Sequence, residues 1–162
     1  AATAAALAMG CELEAVVTGL EAFRPTRGRM EPVLLANDVL LLEDTYNANP
    51  ASLRAALKVL MQAAGKKVLV LGDMGELGAD AAHMHAEIGT EARHMGVDRL
   101  FALGDLSSYA VEEFGSGARH FQRIEDLYAA LEQELNENST VLVKGSRFMK
   151  MERVVRHCIA LQ

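Results

Sequence analysis

The sequence has no tryptophan, two cysteines and three prolines among its 162 residues, and no run of Lys or Arg longer than Lys66-Lys67. Each shortage closes off a class of protein. Cys11 and Cys158 are too few for a disulfide framework or a cysteine-rich zinc site. A chain of net charge −6 without a basic cluster lacks the concentrated positive surface that nucleic-acid backbones require, so no nucleic acid is expected as a partner. No apolar run approaches the roughly 20 residues of a membrane span, and the apolar N-terminus lacks the basic flank of a signal peptide. Neither G-x-x-x-x-G-K-[ST] nor G-x-G-x-x-G occurs: Gly72, Gly75 and Gly78 stand at the wrong spacing for a dinucleotide fingerprint. So few cysteines fit a reducing, cytoplasmic setting.

What is present is a globular composition, 51% hydrophobic and 23% charged, of a length that suits one domain with or without a short piece of a neighbour. Leu13, Val16, Val17 and Leu20 share one face of a helix over 12–23. Arg24-Pro25-Thr26-Arg27-Gly28-Arg29 then breaks the pattern as a linker would. Residues 30–36 and 39–43 predict two strands joined by a tight turn at Asn37-Asp38. Residues 51–64 predict a helix with Leu53, Ala56, Leu57, Leu60 and Met61 on its buried face and Gly65 as its C-terminal cap.

Beyond this point short apolar runs at 67–71, 100–103 and 140–143 have the continuous pattern of strands buried on both faces of a parallel sheet. Amphipathic helices near 80–95, 106–114, 125–137 and 149–161 alternate with them, and 119–121 suggests one more short strand. The expected fold is α/β: a Rossmann-like, doubly wound, mostly parallel sheet that opens with a β-hairpin and is preceded by a short helical segment. The expected division is 1–23 as a helical remnant of another domain, 24–29 as linker and 30–162 as the main domain.

Open parallel sheets bind ligands beyond the carboxyl ends of their strands. Three apolar runs end there in polar turns that carry glycine: Gly72-Asp73, Gly104-Asp105 and Lys144-Gly145-Ser146-Arg147. The hairpin strand likewise runs into Glu43-Asp44-Thr45-Tyr46-Asn47-Ala48-Asn49-Pro50. Any one such turn is explained by backbone geometry and helix capping; four on one edge point to a site. In the helix at 80–95, Met84, Ile88, Ala92 and Met95 form the buried face, His83 and His94 point away, and His85 stands at the border, either packed or able to reach a ligand. His83 and His85 diverge on a helix, so no metal site is expected from this chain. Cys158 falls on an apolar helical stripe and is expected to be a buried thiol.

Three segments, in order and at compatible spacing, resemble the Mur ligases: Glu43 through Ser52, Val70-Leu71-Gly72-Asp73-Met74-Gly75-Glu76-Leu77-Gly78, and Leu142-Val143-Lys144-Gly145-Ser146-Arg147. The resemblance implies an enzyme of three domains, one for a UDP-sugar, a central P-loop ATPase, and a Rossmann-like C-terminal domain that brings the incoming amino acid or dipeptide. It implies peptidoglycan precursor synthesis in the cytoplasm. ATP would phosphorylate the carboxylate of UDP-N-acetylmuramoyl-tripeptide, and the amine of D-alanyl-D-alanine would attack the acyl phosphate. ATP and Mg²⁺ would be held mainly by the central domain, of which 1–23 would be the final helices, and the enzyme would be a monomer. By the same resemblance Arg29 reaches the nucleotide's terminal phosphates, Asp44 contacts its ribose, and Tyr46, Asn47 and Asn49 line the same interface. Lys144, Ser146 and Arg147 would hold the dipeptide, with Asp73 and Glu76 orienting its amine. Two other readings stand beside this one. A folylpolyglutamate synthetase shares the architecture, but its usual Asp-Gly-Ala-His-Asn-Pro is replaced here at 44–50. A non-catalytic α/β binding module leaves the arginine-rich linker unexplained.

Overall fold

The computed structural model describes residues 2–23, 26–135 and 138–161. Arg24 and Pro25 of the expected linker, and the last two residues of the helix expected at 125–137, lie outside the described residues. The chain opens with helices α1 (Ala2–Ala8) and α2 (Leu13–Ala22). There follow strands β1 (Glu31–Leu34) and β2 (Leu40–Asp44), helix α3 (Pro50–Gln62), strand β3 (Lys66–Gly72) and helix α4 (Ala81–Met95). Strand β4 (Arg99–Leu103), helix α5 (Ser107–Phe114), strand β5 (Ala118–Phe121), helix α6 (Ile124–Glu132), strand β6 (Ser139–Lys144) and helix α7 (Glu152–Ala160) complete the fold.

The strands form a six-stranded sheet among the described residues, in the order β1-β2-β6-β3-β4-β5. β1 is antiparallel to β2 and every other pair is parallel. Pro32, which cannot donate to a sheet ladder, stands in the edge strand β1. Alternate residues of each strand serve opposite faces. Leu42, Leu69, Leu71, Leu100 and Leu142 pack with Leu53, Leu57 and Leu60 of α3, Ile88 of α4 and Phe114 of α5. Leu41, Val68, Val70, Phe101, Val141 and Val143 pack with Leu127 and Leu131 of α6 and Val154, Val155 and Cys158 of α7. The apolar runs are continuous because both faces are covered, as expected. Burial pushes the Cys158 thiol up to about 12.

The doubly wound architecture thus matches the expectation, two local readings are corrected, and the helix expected at 12–23 forms with its apolar face largely uncovered. The hairpin has a wider connection than a two-residue turn. Ala36–Asp38 form a single 3-10 turn, closed by the Leu35 N–H donating to the Val39 carbonyl at 2.8 Å, with Asp38 at φ 58°. Gly65 does not cap α3, whose C-cap is the extended residue Ala63. A Cβ on Gly65 would lie 1.7 Å from the Asn138 carbonyl oxygen, so close backbone approach requires the glycine. Finally, α2 buries only Val16 of its apolar face, leaving Leu13, Val17 and Leu20 about half exposed.

Candidate functional site

β6 lies between β2 and β3, and the chain leaves β6 toward one face of the sheet while α3 and α4 cover the other. The crevice that such a reversal opens lies beyond the carboxyl ends of β2, β6 and β3. Those ends are in register: Lys144 pairs with Asp44 on one side and with Leu71 on the other. Three of the four polar turns of the sequence, those after β2, β3 and β6, therefore meet in space.

Residues 45–49 leave β2 and form a wall. Its end is fixed by a reciprocal cap on α3. Asn49 Oδ1 accepts from the Ser52 N–H at 2.8 Å, Ser52 Oγ accepts from the Asn49 N–H at 3.1 Å, and Pro50 occupies the first helical turn, where no N–H is needed. Asn47 Oδ1 accepts from the Ala48 N–H at 2.8 Å. Each side-chain oxygen thus already accepts one backbone N–H, and the amide NH₂ groups of Asn47 and Asn49 remain as donors.

On one side of the wall is a cavity of about 480 Å³ lined by Arg29, Met30, Asp44, Tyr46, Asn47, Asn49, Ser52 and Lys144. Arg29 stacks over the Tyr46 ring, its guanidinium carbon 4.1 Å from the centroid. Asp44 Oδ1 accepts from the Met30 N–H at 3.1 Å and Oδ2 accepts from Lys144 Nζ. Lys144 is 2% exposed and also donates to the Asn47 carbonyl at 3.0 Å.

On the other side is a cavity of about 570 Å³ between Tyr46, Asn47, Asn49, Gly75, Glu76, Leu77, Ser146, Arg147 and Phe148. Ser146 is buried. Its hydroxyl donates to the Ala48 carbonyl at 3.1 Å and accepts from the Gly75 N–H at 2.7 Å, joining all three turns. Arg147 is 66% exposed and makes only a 3.4 Å contact with Glu152, the carboxylate available in the next helix. Glu76, exposed, holds a left-handed backbone at φ 62°. Arg147 and Tyr46 also border a third cavity of about 390 Å³, with Glu43 and Glu152 on its wall.

The structure thus gathers Arg29, Asp44, Tyr46, Asn47 and Asn49 in one cavity, and Glu76, Ser146 and Arg147 in the next. Of the residues expected at the dipeptide, Lys144 and Asp73 are not among those that line this second cavity. Lys144 faces Asp44, because register puts the last residue of β6 opposite the last residue of β2. Asp73 accepts from the Ser107 and Leu106 N–H groups at 2.7 and 3.2 Å, stabilising the start of α5 with its negative charge. A Cβ on Gly104 would lie 2.5 Å from that carboxylate, so the glycine admits it.

Sequence reasoning missed Phe148, which is exposed in the cavity; an aromatic directly after a polar strand-end turn was the available signal. It left His85 open between packing and ligand contact. The ring is fully buried, and Nε2 accepts from the Met74 N–H at 2.9 Å. That bond requires the proton on Nδ1, which donates to the Ala81 carbonyl at 2.7 Å. His85 therefore braces the 73–77 turn from behind.

Comparison with known proteins agrees with this fold. The profile described as Mur ligase, glutamate ligase domain matches residues 28–147. The UDP-N-acetylmuramoyl-tripeptide–D-alanyl-D-alanine ligase of Escherichia coli K12 is 40% identical over 158 residues, which cover 96% of this chain and 35% of the relative. A MurF crystal structure from Acinetobacter baumannii superposes with a TM-score of 0.83 at 37% identity, over 96% of this chain and 35% of that one. The MurF of Thermotoga maritima, solved in complex with ADP, has the same fold (TM-score 0.83, 23% identity, 97% of this chain and 36% of that one). The chain therefore spans about a third of the length of the relatives it matches. A matching profile over most of the chain, two cavities on a common wall and a shared doubly wound sheet place it plainly: the chain belongs to the Mur ligase family.

Proposed function

We propose that this chain is the C-terminal, substrate-binding part of a cytoplasmic, monomeric, ATP-dependent ligase that joins D-alanyl-D-alanine to UDP-N-acetylmuramoyl-tripeptide in cell-wall synthesis. In this reading residues 1–23 are the last helices of a central ATPase domain and 24–29 the linker to residues 30–162. The observation that carries the reading is the shared wall: residues 46–49 separate a cavity holding a fixed carboxylate and a stacked guanidinium from one holding an available guanidinium. A ligase must bring an activated carboxylate and an amine together from two binding sites, and effective molarity rises steeply when both are held in place.

ATP, as substrate, supplies the phosphoryl group that activates the acceptor carboxylate. Asp44 offers its remaining lone pairs to two ribose hydroxyls, and Arg29, always charged and able to contact two oxygens at once, binds the terminal phosphates. Tyr46 holds the Arg29 side chain in place, and the amides of Asn47 and Asn49 donate to ligand oxygens on either side of the wall. In the second cavity Arg147 binds the dipeptide carboxylate and Glu76 orients its amine. The family resemblance assigns Mg²⁺ to the central domain, and among the described residues no three His, Cys, Asp or Glu side chains converge as a metal site. No helix among the described residues is long and apolar enough to cross a membrane.

The test is an amide-forming assay with the full-length protein, ATP, Mg²⁺, the muramoyl-tripeptide and a panel of amines. Equal yields of ADP and of the D-alanyl-D-alanine adduct are expected. Turnover with a folate acceptor and glutamate, or none with any pair, would overturn the reading.

A further inference from the structure

We infer that Lys144 is a positioning residue of the nucleotide half of the site, acting through Asp44 and the wall, and not a ligand of the dipeptide. The inference rests on the function proposed above and assigns one residue within it. Lys144 is the last residue of β6, and its ammonium is almost fully buried. A buried ammonium persists only when its donors are satisfied, and here they are directed at Asp44 Oδ2 and the Asn47 carbonyl. Lys144 lines the cavity that contains Arg29 and Asp44; it is not among the residues around the cavity that contains Arg147.

The consequence for Asp44 is geometric. The Met30 N–H fixes one carboxylate oxygen and Lys144 fixes the other, so the plane of the carboxylate is set before any ligand arrives. Two lone pairs remain for two neighbouring hydroxyls, the donor pattern of a ribose. The bond to the Asn47 carbonyl ties the wall to the same ammonium. Two residues further along, the Ser146 hydroxyl donates to the next carbonyl, that of Ala48. One strand exit thus holds successive carbonyls of the wall, with Lys144 on the nucleotide side and Ser146 on the dipeptide side.

The experiment uses the full-length ligase as wild type, Lys144→Met, Asp44→Asn, the double variant and Ser146→Ala, with ATP and D-alanyl-D-alanine varied separately. Lys144→Met is expected to raise the KM for ATP about ten- to a hundredfold, as loss of a charge-assisted bond does, with the dipeptide KM within about twofold. Adding Asp44→Asn should then cost nothing more in the ATP term, because both changes disable the same carboxylate. Ser146→Ala should show the opposite split. A rise confined to the dipeptide KM in Lys144→Met, or additive effects in the double variant, would overturn the inference. If Lys144→Met does not fold, the double variant carries the test, since it leaves no buried charge facing a missing partner. An ATP KM equal to that of Asp44→Asn supports the inference, and a dipeptide KM raised tenfold or so sinks it. Wild-type enzyme without ligation would instead overturn the proposed function, so the two failures are distinguishable.

Discussion

The two cavities share a wall but differ in how their charges are arranged. Beside Asp44 the charged groups have partners within the chain: Asp44 with Lys144 and the Met30 N–H, and Arg29 with the Tyr46 ring. Beside Ser146 the polar backbone is bound but the charges stand open, with Arg147 two-thirds exposed and Glu76 at the surface. The difference teaches where order is built in. The first cavity is organised before a ligand arrives, so binding there loses little side-chain freedom. In the second, a ligand held by Arg147 as proposed would have to restrain an exposed side chain.

The largest effect tests whether both cavities together suffice. The 162-residue chain retains them but contains no P-loop. We expect no Mg²⁺-dependent phosphate release from the pure chain above a heat-killed control; measurable release would mean that the phosphate machinery resides here. Next, Asp44→Ala and Arg29→Ala in the full-length enzyme should both impair use of ATP yet part ways in stability. Removing Asp44 leaves Lys144 buried with a backbone carbonyl alone, and breaking a buried pair costs about 3–5 kcal/mol, at the lower end here because Asp44 is partly exposed. By thermal denaturation that is a melting temperature lower by roughly 6–12 °C. Arg29→Ala loses an exposed cation–π contact of about 0.5–1 kcal/mol, and its melting temperature should move by only a few degrees. Equal shifts would erase the distinction between a buried ion pair and an exposed stacking contact. The smallest expected change in stability is in Arg147→Ala, which should keep its melting temperature while weakening the dipeptide term by roughly ten- to a hundredfold. Steady-state kinetics would refute that assignment if the KM for ATP alone rose.

How much of this was legible in the sequence depended on how far apart the interacting residues lie. Val68–Leu71 announced a central strand because burial on both faces leaves no polar alternation to confuse the pattern. The start of α3 was equally plain, since Asn49-Pro50 carries its own capping chemistry. Lys144 was not. Its partner Asp44 lies 100 residues away, and only strand order brings the two together. The partners of Asp73 were hidden for the same reason: it stabilises the start of α5, which follows a different strand. In α2 the 3.6-residue period was right, but periodicity states that a face is apolar and says nothing of what covers it. Leu13, Val17 and Leu20 remain exposed here.

The tie between β6 and the wall also has a mechanical meaning. β6 is an interior strand bonded to neighbours on both sides, so it can move only with the whole sheet. Lys144 and Ser146 transmit that rigidity to the carbonyls of Asn47 and Ala48. The spacing between the two cavities is therefore set by the sheet itself. In the function proposed above, the alignment of nucleotide and amine would then be a fixed dimension of residues 30–162.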